Sequence, residues 1–144
     1  MFDWKIFNII NLLKRFPQLL YMSNPILIVE DNDDLSLLFK LVLESVGYQV
    51  STVDNGYDAL KYVAQTQPQL VLMDIMMPEI NGLQVAENIK QQQNNQSLPI
   101  LLVSAIDRLK DEQLAKSKAD GILYKPFNLD ELITRVGELT ALAA

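Results

Sequence analysis

The 144-residue chain contains no cysteine and no histidine. The first absence removes disulfides, thiolate nucleophiles and cysteine-based zinc sites. The second removes imidazole ligands and histidine general bases. No apolar run reaches the roughly 18 residues of a membrane span. Positive charge is scarce: 12 Lys and Arg stand against 18 Asp and Glu, for a net charge of −6. So acidic a chain lacks the basic face on which a phosphate backbone binds, and nucleic acid is not expected as a direct partner. The lack of cysteine fits a cytoplasmic protein. Chemistry must come from carboxylates, hydroxyls, Lys, Arg and the backbone.

What is present is a core. Hydrophobic residues make up 49% of the chain, ordinary for a single globular domain. Three segments share one grammar: "ILIVED" after Pro25, "QLVLMD" after Pro68 and "ILLVSA" after Pro99. Each runs through mostly branched apolar residues and stops at a polar one. Continuous apolar runs of this length predict strands buried on both faces of a parallel sheet. "YQVSTV" (48–53) and "GILY" (121–124) are the remaining strands.

Helical periodicity fills the gaps. In 33–47, Leu35, Leu38, Phe39, Val42, Leu43 and Val46 form one apolar face, and Gly47 is placed to end the helix. Residues 56–67 form a second helix with Leu60, Val63 and Ala64 inward. Residues 82–93 form a third, followed by a polar connection that begins in the "QQQNNQ" tract, 91–96. Residues 107–118 give a polar helix. Residues 128–143 give a last one, with Asn128 as N-cap and Leu129, Leu132, Ile133 and Val136 inward. The order from residue 26 is βαβαβαβαβα. It predicts an α/β three-layer sandwich with five helices around a five-stranded parallel sheet in the flavodoxin-like order 2-1-3-4-5.

The polar residues that close the strands are Glu30 and Asp31, Asp74, Ser104 and, after the fifth strand, Lys125. In such a sheet the carboxyl edge is where sites form, at the reversal of strand order. Strands 1 and 3 are neighbours there, so Glu30, Asp31 and Asp74 should lie close together. Clustered carboxylates repel unless a cation offsets them. Mg²⁺, a hard ion that prefers oxygen ligands, suits the set. Acids, a metal and an ammonium together suit phosphoryl chemistry, in which an aspartate can be the nucleophile.

The sequence resembles the receiver domain of two-component response regulators from residue 25 to about 141. The likeness rests on "VEDND", "LVLMDIMMPEINGL", "ILLVSA" and "YKPF", in that order and spacing. The resemblance implies that Asp74 is the phospho-accepting aspartate and Asp31 a direct Mg²⁺ ligand. It implies that Glu30 acts on the metal through water and that the Met76 carbonyl is a third protein ligand. Ser104 would meet the phosphoryl group through its hydroxyl, and Lys125 would pair with it. A cis peptide is implied before Pro126. The phosphoryl group would come from a sensor histidine kinase or a phosphotransfer protein. The output would be a protein contact at the face made by 107–118, 121–124 and 128–143.

Two departures stand out. The aromatic that the family carries three residues before its lysine is Ile122 here, and Tyr124 is off that register. The positions two residues after Asp74 and two after Ser104, which tune phosphoryl lifetime in the family, are the apolar Met76 and Ile106. A long-lived acyl phosphate is the expectation.

Three other readings weigh less. A non-phosphorylated, receiver-like docking module would not need the intact acid–Ser–Lys set. A flavodoxin-like nucleotide or flavin binder needs a Gly/Ser/Thr-rich phosphate loop after strand one, where this chain has "EDNDD". An aspartate-nucleophile phosphatase usually has a second acid where Met76 stands.

Residues 25–144 form the receiver-like domain, and 1–24 are an N-terminal extension. In the extension Phe2, Ile6, Ile9, Ile10, Leu13 and Leu20 recur at helical spacing, and Lys14, Arg15 and Pro17 interrupt any membrane span. The extension is a mis-assigned start before Met22, an amphipathic helix that docks on the domain or on a twin in a homodimer, or a helix lying on a membrane surface. Only 19 residues follow Lys125, so a stand-alone receiver without an output domain is expected.

Overall fold

The structure, a computed structural model, describes residues 1–16, 24–106 and 109–142. Its elements in chain order are α1 (Trp4–Arg15), β1 (Ile26–Val29), α2 (Asp33–Ser45), β2 (Val50–Val53), α3 (Gly56–Gln65) and β3 (Leu70–Asp74). They continue with α4 (Gly82–Gln91), a 3-10 turn (Gln93–Asn95), β4 (Ile100–Ser104), α5 (Asp111–Ser117), β5 (Gly121–Tyr124) and α6 (Leu129–Leu142). The strands form one parallel sheet in the order β2-β1-β3-β4-β5, as the alternation predicts.

Side chains on successive strand residues point to opposite faces, and both faces are covered. Leu27, Val29, Val71, Met73 and Leu102 pack with Ala59 and Val63 of α3 and Val85, Ala86 and Ile89 of α4. Ile26, Ile28, Leu70, Leu72 and Val103 pack with Phe39 and Leu43 of α2 and Leu132 and Val136 of α6. β1, β3 and β4 are buried along their whole length. That explains why their sequences are continuous apolar runs rather than alternating ones.

Asparagine side chains start four of the helices, α2, α3, α4 and α6. Asn32 Oδ1 accepts from the Leu35 amide, Asn55 from Asp58, Asn81 from Gln84 and Asn128 from Glu131. Each satisfies an amide that has no partner within its helix. The expected cap at Asn128 is present. The cap of α2 is Asn32. Gly47 follows α2 with φ of 103°, a conformation open to glycine. Lys90 is buried, and its ammonium bonds Asp120 Oδ2 at 2.8 Å and the Gln96 carbonyl at 3.2 Å. This ties α4 to the start of β5.

The structure corrects several details. Leu38 is exposed because the inward line of α2 runs through Leu35, Phe39 and Leu43, with the small Ser36 wedged beside it. Val46 is exposed because the helix has ended and Val46 is its C-cap. In α3 the inward small residue is Ala59; Ala64 lies about a quarter-turn off that face and is exposed. The polar helix begins at Asp111, after the non-helical Leu109 and Lys110; residues 107–108 of the expected range lie outside the described residues. Leu129, the first residue of α6, is 38% exposed. The glutamine tract closes α4 and enters the 3-10 turn. The extension does form a helix, α1, and none of its residues is buried. Leu20 lies outside the described residues.

Candidate functional site

β1 and β3 run side by side with Val29 opposite Met73, so the residues that follow, Glu30 and Asp74, emerge at the same edge. One carboxylate oxygen from each of Glu30, Asp31 and Asp74 lies within 4.8 Å of the others. Glu30 and Asp74 are buried, while Asp31 is exposed. β4 pairs Val103 with Asp74 on one side, and places Ser104 opposite Tyr124 of β5 on the other. Lys125 leaves β5 next, and its Nζ stands 3.8 Å from Asp74 Oδ1. The Lys125 amide donates to the Ser104 carbonyl at 2.7 Å. The Lys125–Pro126 peptide is cis.

The electrostatics follow from burial. Glu30 is pushed up to about 7 by desolvation first and by the nearby Asp74 charge second. The Asn32 amide and Lys125 pull the other way. Glu30 Oε1 accepts from that amide at 3.3 Å; Oε2 is buried without a hydrogen-bond partner among the described residues. Burial also raises Asp74 above the usual aspartate range, against the opposing pull of Lys125 and of the Ile75 and Met76 amides, while Asp31 adds to the rise. Such a cluster is relieved either by a proton or by a cation. All the donors are hard oxygens, a set that fits a magnesium-type ion. The three acids can therefore hold a metal.

Ser104 is fully buried, and its Oγ accepts from the Ile106 amide at 2.9 Å. Among the described residues its hydroxyl proton has no acceptor. The Met76 side chain is 60% exposed at the mouth of the site. Ile122 packs partly buried against the core on the α3–α4 side, and Tyr124 is 43% exposed. All six residues singled out in the sequence thus lie along the carboxyl edge of the sheet.

Sequence reasoning missed Gly82. A Cβ at this position would collide with the carbonyl oxygen of Asp74 and stand 3.0 Å from the Ile75 Cα. The Gly82 amide also donates to the Ile75 carbonyl at 2.9 Å. The start of α4 therefore presses directly on the backbone that carries Asp74. The only sequence signal was an Asn-Gly pair ahead of a helix, which reads as turn chemistry alone.

Comparison with known proteins gives the same assignment. The family model for the response regulator receiver domain matches residues 26–137. The chain is 36% identical over 112 residues to the response regulator ArlR of Staphylococcus aureus, covering 77% of this chain and 50% of that protein. It spans about half the length of the curated relatives it matches. Among solved structures, the signal receiver domain of a signal transduction histidine kinase from Syntrophus aciditrophicus superposes with a TM-score of 0.78. The identity is 30%, over 83% of this chain and 91% of that one. The response regulator TrrA of Thermotoga maritima, solved with Mg²⁺–BeF, gives 0.73 at 35% identity, over 81% and 99%. The chain belongs to the response regulator receiver domain family.

Proposed function

We propose that this domain is a phosphorylation-dependent switch in a two-component system or phosphorelay, with Asp74 as phosphoacceptor. The observation that carries the reading is the placement of Asp74, a buried carboxylate between the Lys125 ammonium at 3.8 Å and the acids Glu30 and Asp31. A phosphohistidine on a sensor histidine kinase or phosphotransfer protein presents its phosphorus to Asp74. The new Oδ–P bond forms as the N–P bond breaks, and the imidazole leaves with the electron pair of that bond. The sequence has no histidine, so the phosphohistidine lies outside this domain.

Asp31, Asp74 and the Met76 carbonyl would hold Mg²⁺, with Glu30 beside them, and the ion would supply positive charge for the phosphoryl oxygens. Lys125 supplies the opposing positive charge. The Ser104 hydroxyl donates to a phosphoryl oxygen, and in doing so changes its relation to the Ile106 amide. That shift is passed to the face of α5, β5 and α6, where Tyr124 and Leu129 are exposed, and a downstream protein reads it. The domain acts as a switch, not as an enzyme on a separate substrate. No helix among the described residues is long and apolar enough to cross a membrane.

The test is uptake of labelled phosphate from a small phosphodonor, with Mg²⁺, by the full chain and by Asp74→Ala. Uptake by the first and none by the second is expected. Equal uptake by both removes Asp74 from the role. No uptake by the full chain leaves a docking module.

A further inference from the structure

Two apolar surfaces have no partner among the described residues. The first is on α1, where Ile6, Ile9, Ile10 and Leu13 recur at the i, i+3, i+4, i+7 spacing of one helix face. Ile6 and Ile9 are each 56% exposed. A 12-residue helix in water is marginal unless that face is covered. The second is on α2, where Leu37, Leu38 and Leu41 are 54%, 43% and 56% exposed, turned away from the sheet that buries Phe39 and Leu43. Three exposed leucines on two turns of a well-packed helix require a reason.

The two surfaces are complementary in length and in charge. α1 has 12 residues and α2 has 13. α1 carries Lys14 and Arg15 in its last turn, with Lys5 near its start and no acid within the helix. α2 opens with Asp33 and Asp34 and ends near Glu44. An antiparallel pairing sets Lys14 and Arg15 against Asp33 and Asp34, and Lys5 near Glu44. It also opposes the two helix dipoles. Apart from the half-buried Leu13, both surfaces are exposed among the described residues.

We propose that the α1 helix of one copy docks antiparallel on the Leu37–Leu38–Leu41 stripe of a second copy, and the reverse, in a symmetric helix-exchanged dimer. A two-fold arrangement covers both orphan surfaces of each chain at once, and any closed isologous pair repeats each contact twice. The C-terminal end of the docked helix then lies at the start of α2, two residues beyond Asp31. Access of a phosphodonor to the acidic edge therefore depends on dimerisation.

Trp4, the only tryptophan, lies on the side of α1 opposite the stripe and stacks on Phe7, so Trp4→Phe combined with Ile9→Trp moves the reporter onto the stripe. The experiment is sedimentation velocity on the full chain across a wide concentration range, with indole emission followed in that double variant. The expected result is a monomer–dimer equilibrium in which the emission shifts to the blue as the dimer forms. Leu41→Glu and the double variant Lys14→Glu/Arg15→Glu should each weaken the dimer by at least about tenfold. Adding Asp33→Lys and Asp34→Lys to the second should restore it, which excludes misfolding as the cause. A monomer at every concentration overturns the proposal. So does an emission already blue-shifted in the monomer, which means docking on the chain's own domain. A shift that appears only with phosphatidylglycerol vesicles, and not with protein concentration, assigns the helix to a membrane instead. A dimer indifferent to all these substitutions uses another surface.

Discussion

The Lys125 ammonium stands 3.8 Å from Asp74 Oδ1, although one follows β5 and the other ends β3, with β4 between them. The reach is long enough to be an ion pair rather than a tight hydrogen bond. The lysine can therefore give up this contact for hydrogen bonds to oxygen atoms attached to Asp74. Lys125→Met keeps most of the stem and removes the charge. Labelled phosphate uptake at Asp74 should slow on the order of 10²-fold, the usual loss when one pre-placed positive donor is removed from a site of developing negative charge. Lys125→Arg should recover little, because a planar guanidinium does not occupy the position of a compact ammonium. Uptake unchanged in Lys125→Met would remove the lysine from the mechanism.

Glu30 makes folding stability depend on pH in the direction opposite to a salt-bridged acid. Its carboxyl is raised from 4.5 to about 7 in the folded chain. The folded state therefore holds a proton that the unfolded state releases. The stabilisation from that proton is complete below 4.5 and is lost as pH rises through about 7. With divalent metal chelated, Glu30→Gln should stabilise the protein above neutral pH, by at most about 3 kcal/mol. The gain should vanish near pH 4. In the unmodified chain, Mg²⁺ should flatten the dependence, since a cation at the cluster favours the charged carboxylates. Urea unfolding at several pH values, with chelator and with Mg²⁺, checks all three statements.

The strand order and the edge that carries the acids were legible because fully buried parallel strands leave continuous apolar runs that stop at polar residues. Asp74 and Lys125 could both be placed at the carboxyl edge on that basis; their pairing was implied by the resemblance. Helix faces were less legible. Leu38, Ala64 and Leu129 satisfy the period yet stay exposed. Periodicity fixes an arc but not which edge of it meets the sheet. Asn32 and Gly82 were not legible as site residues, since each acts through the backbone. Asn32 lends its amide to Glu30, and Gly82 permits a close approach that no side-chain pattern encodes.

Gly82 and Gly137 should respond in opposite ways to the same substitution. A methyl at Gly82 collides with the Asp74 carbonyl, so Gly82→Ala must push α4 away from the strand or shift Asp74. A loss of about 1–3 kcal/mol follows, the usual range for overpacking a close contact. Phosphate uptake should fall with it. Gly137 lies inside α6, and a Cβ there meets nothing within 4 Å. Gly137→Ala should stabilise the domain by about 0.5–1 kcal/mol, because alanine loses less backbone entropy in a helix. Thermal melts of the two variants should move in opposite directions. A Gly82→Ala variant as stable as the parent would mean that Gly82 is not the tight point of the site, and a loss in Gly137→Ala would mean that its place in the helix is not open.

The lifetime of a phosphoryl group on Asp74 should be set by what borders the mouth of the site. Hydrolysis of an acyl phosphate requires a water held in line with the phosphorus. A neighbouring polar group orients or deprotonates such a water within hydrogen-bond reach. Met76 is 60% exposed at that mouth and offers only a thioether. Ile106 gives its amide to Ser104, and its side chain has no polar atom. Neither can position the water, and the flexible methionine can fold over the group and exclude it. After the small phosphodonor is removed, the phosphorylated chain should decay slowly at neutral pH, without complete loss in seconds to a minute. Met76→Glu puts a carboxylate at the mouth and should hasten decay several-fold, while Met76→Leu should leave it unchanged. If Met76→Glu decays no faster, access of water, not its orientation, limits the reaction, and the bulk retained at this position protects the phosphoryl group whatever its polarity.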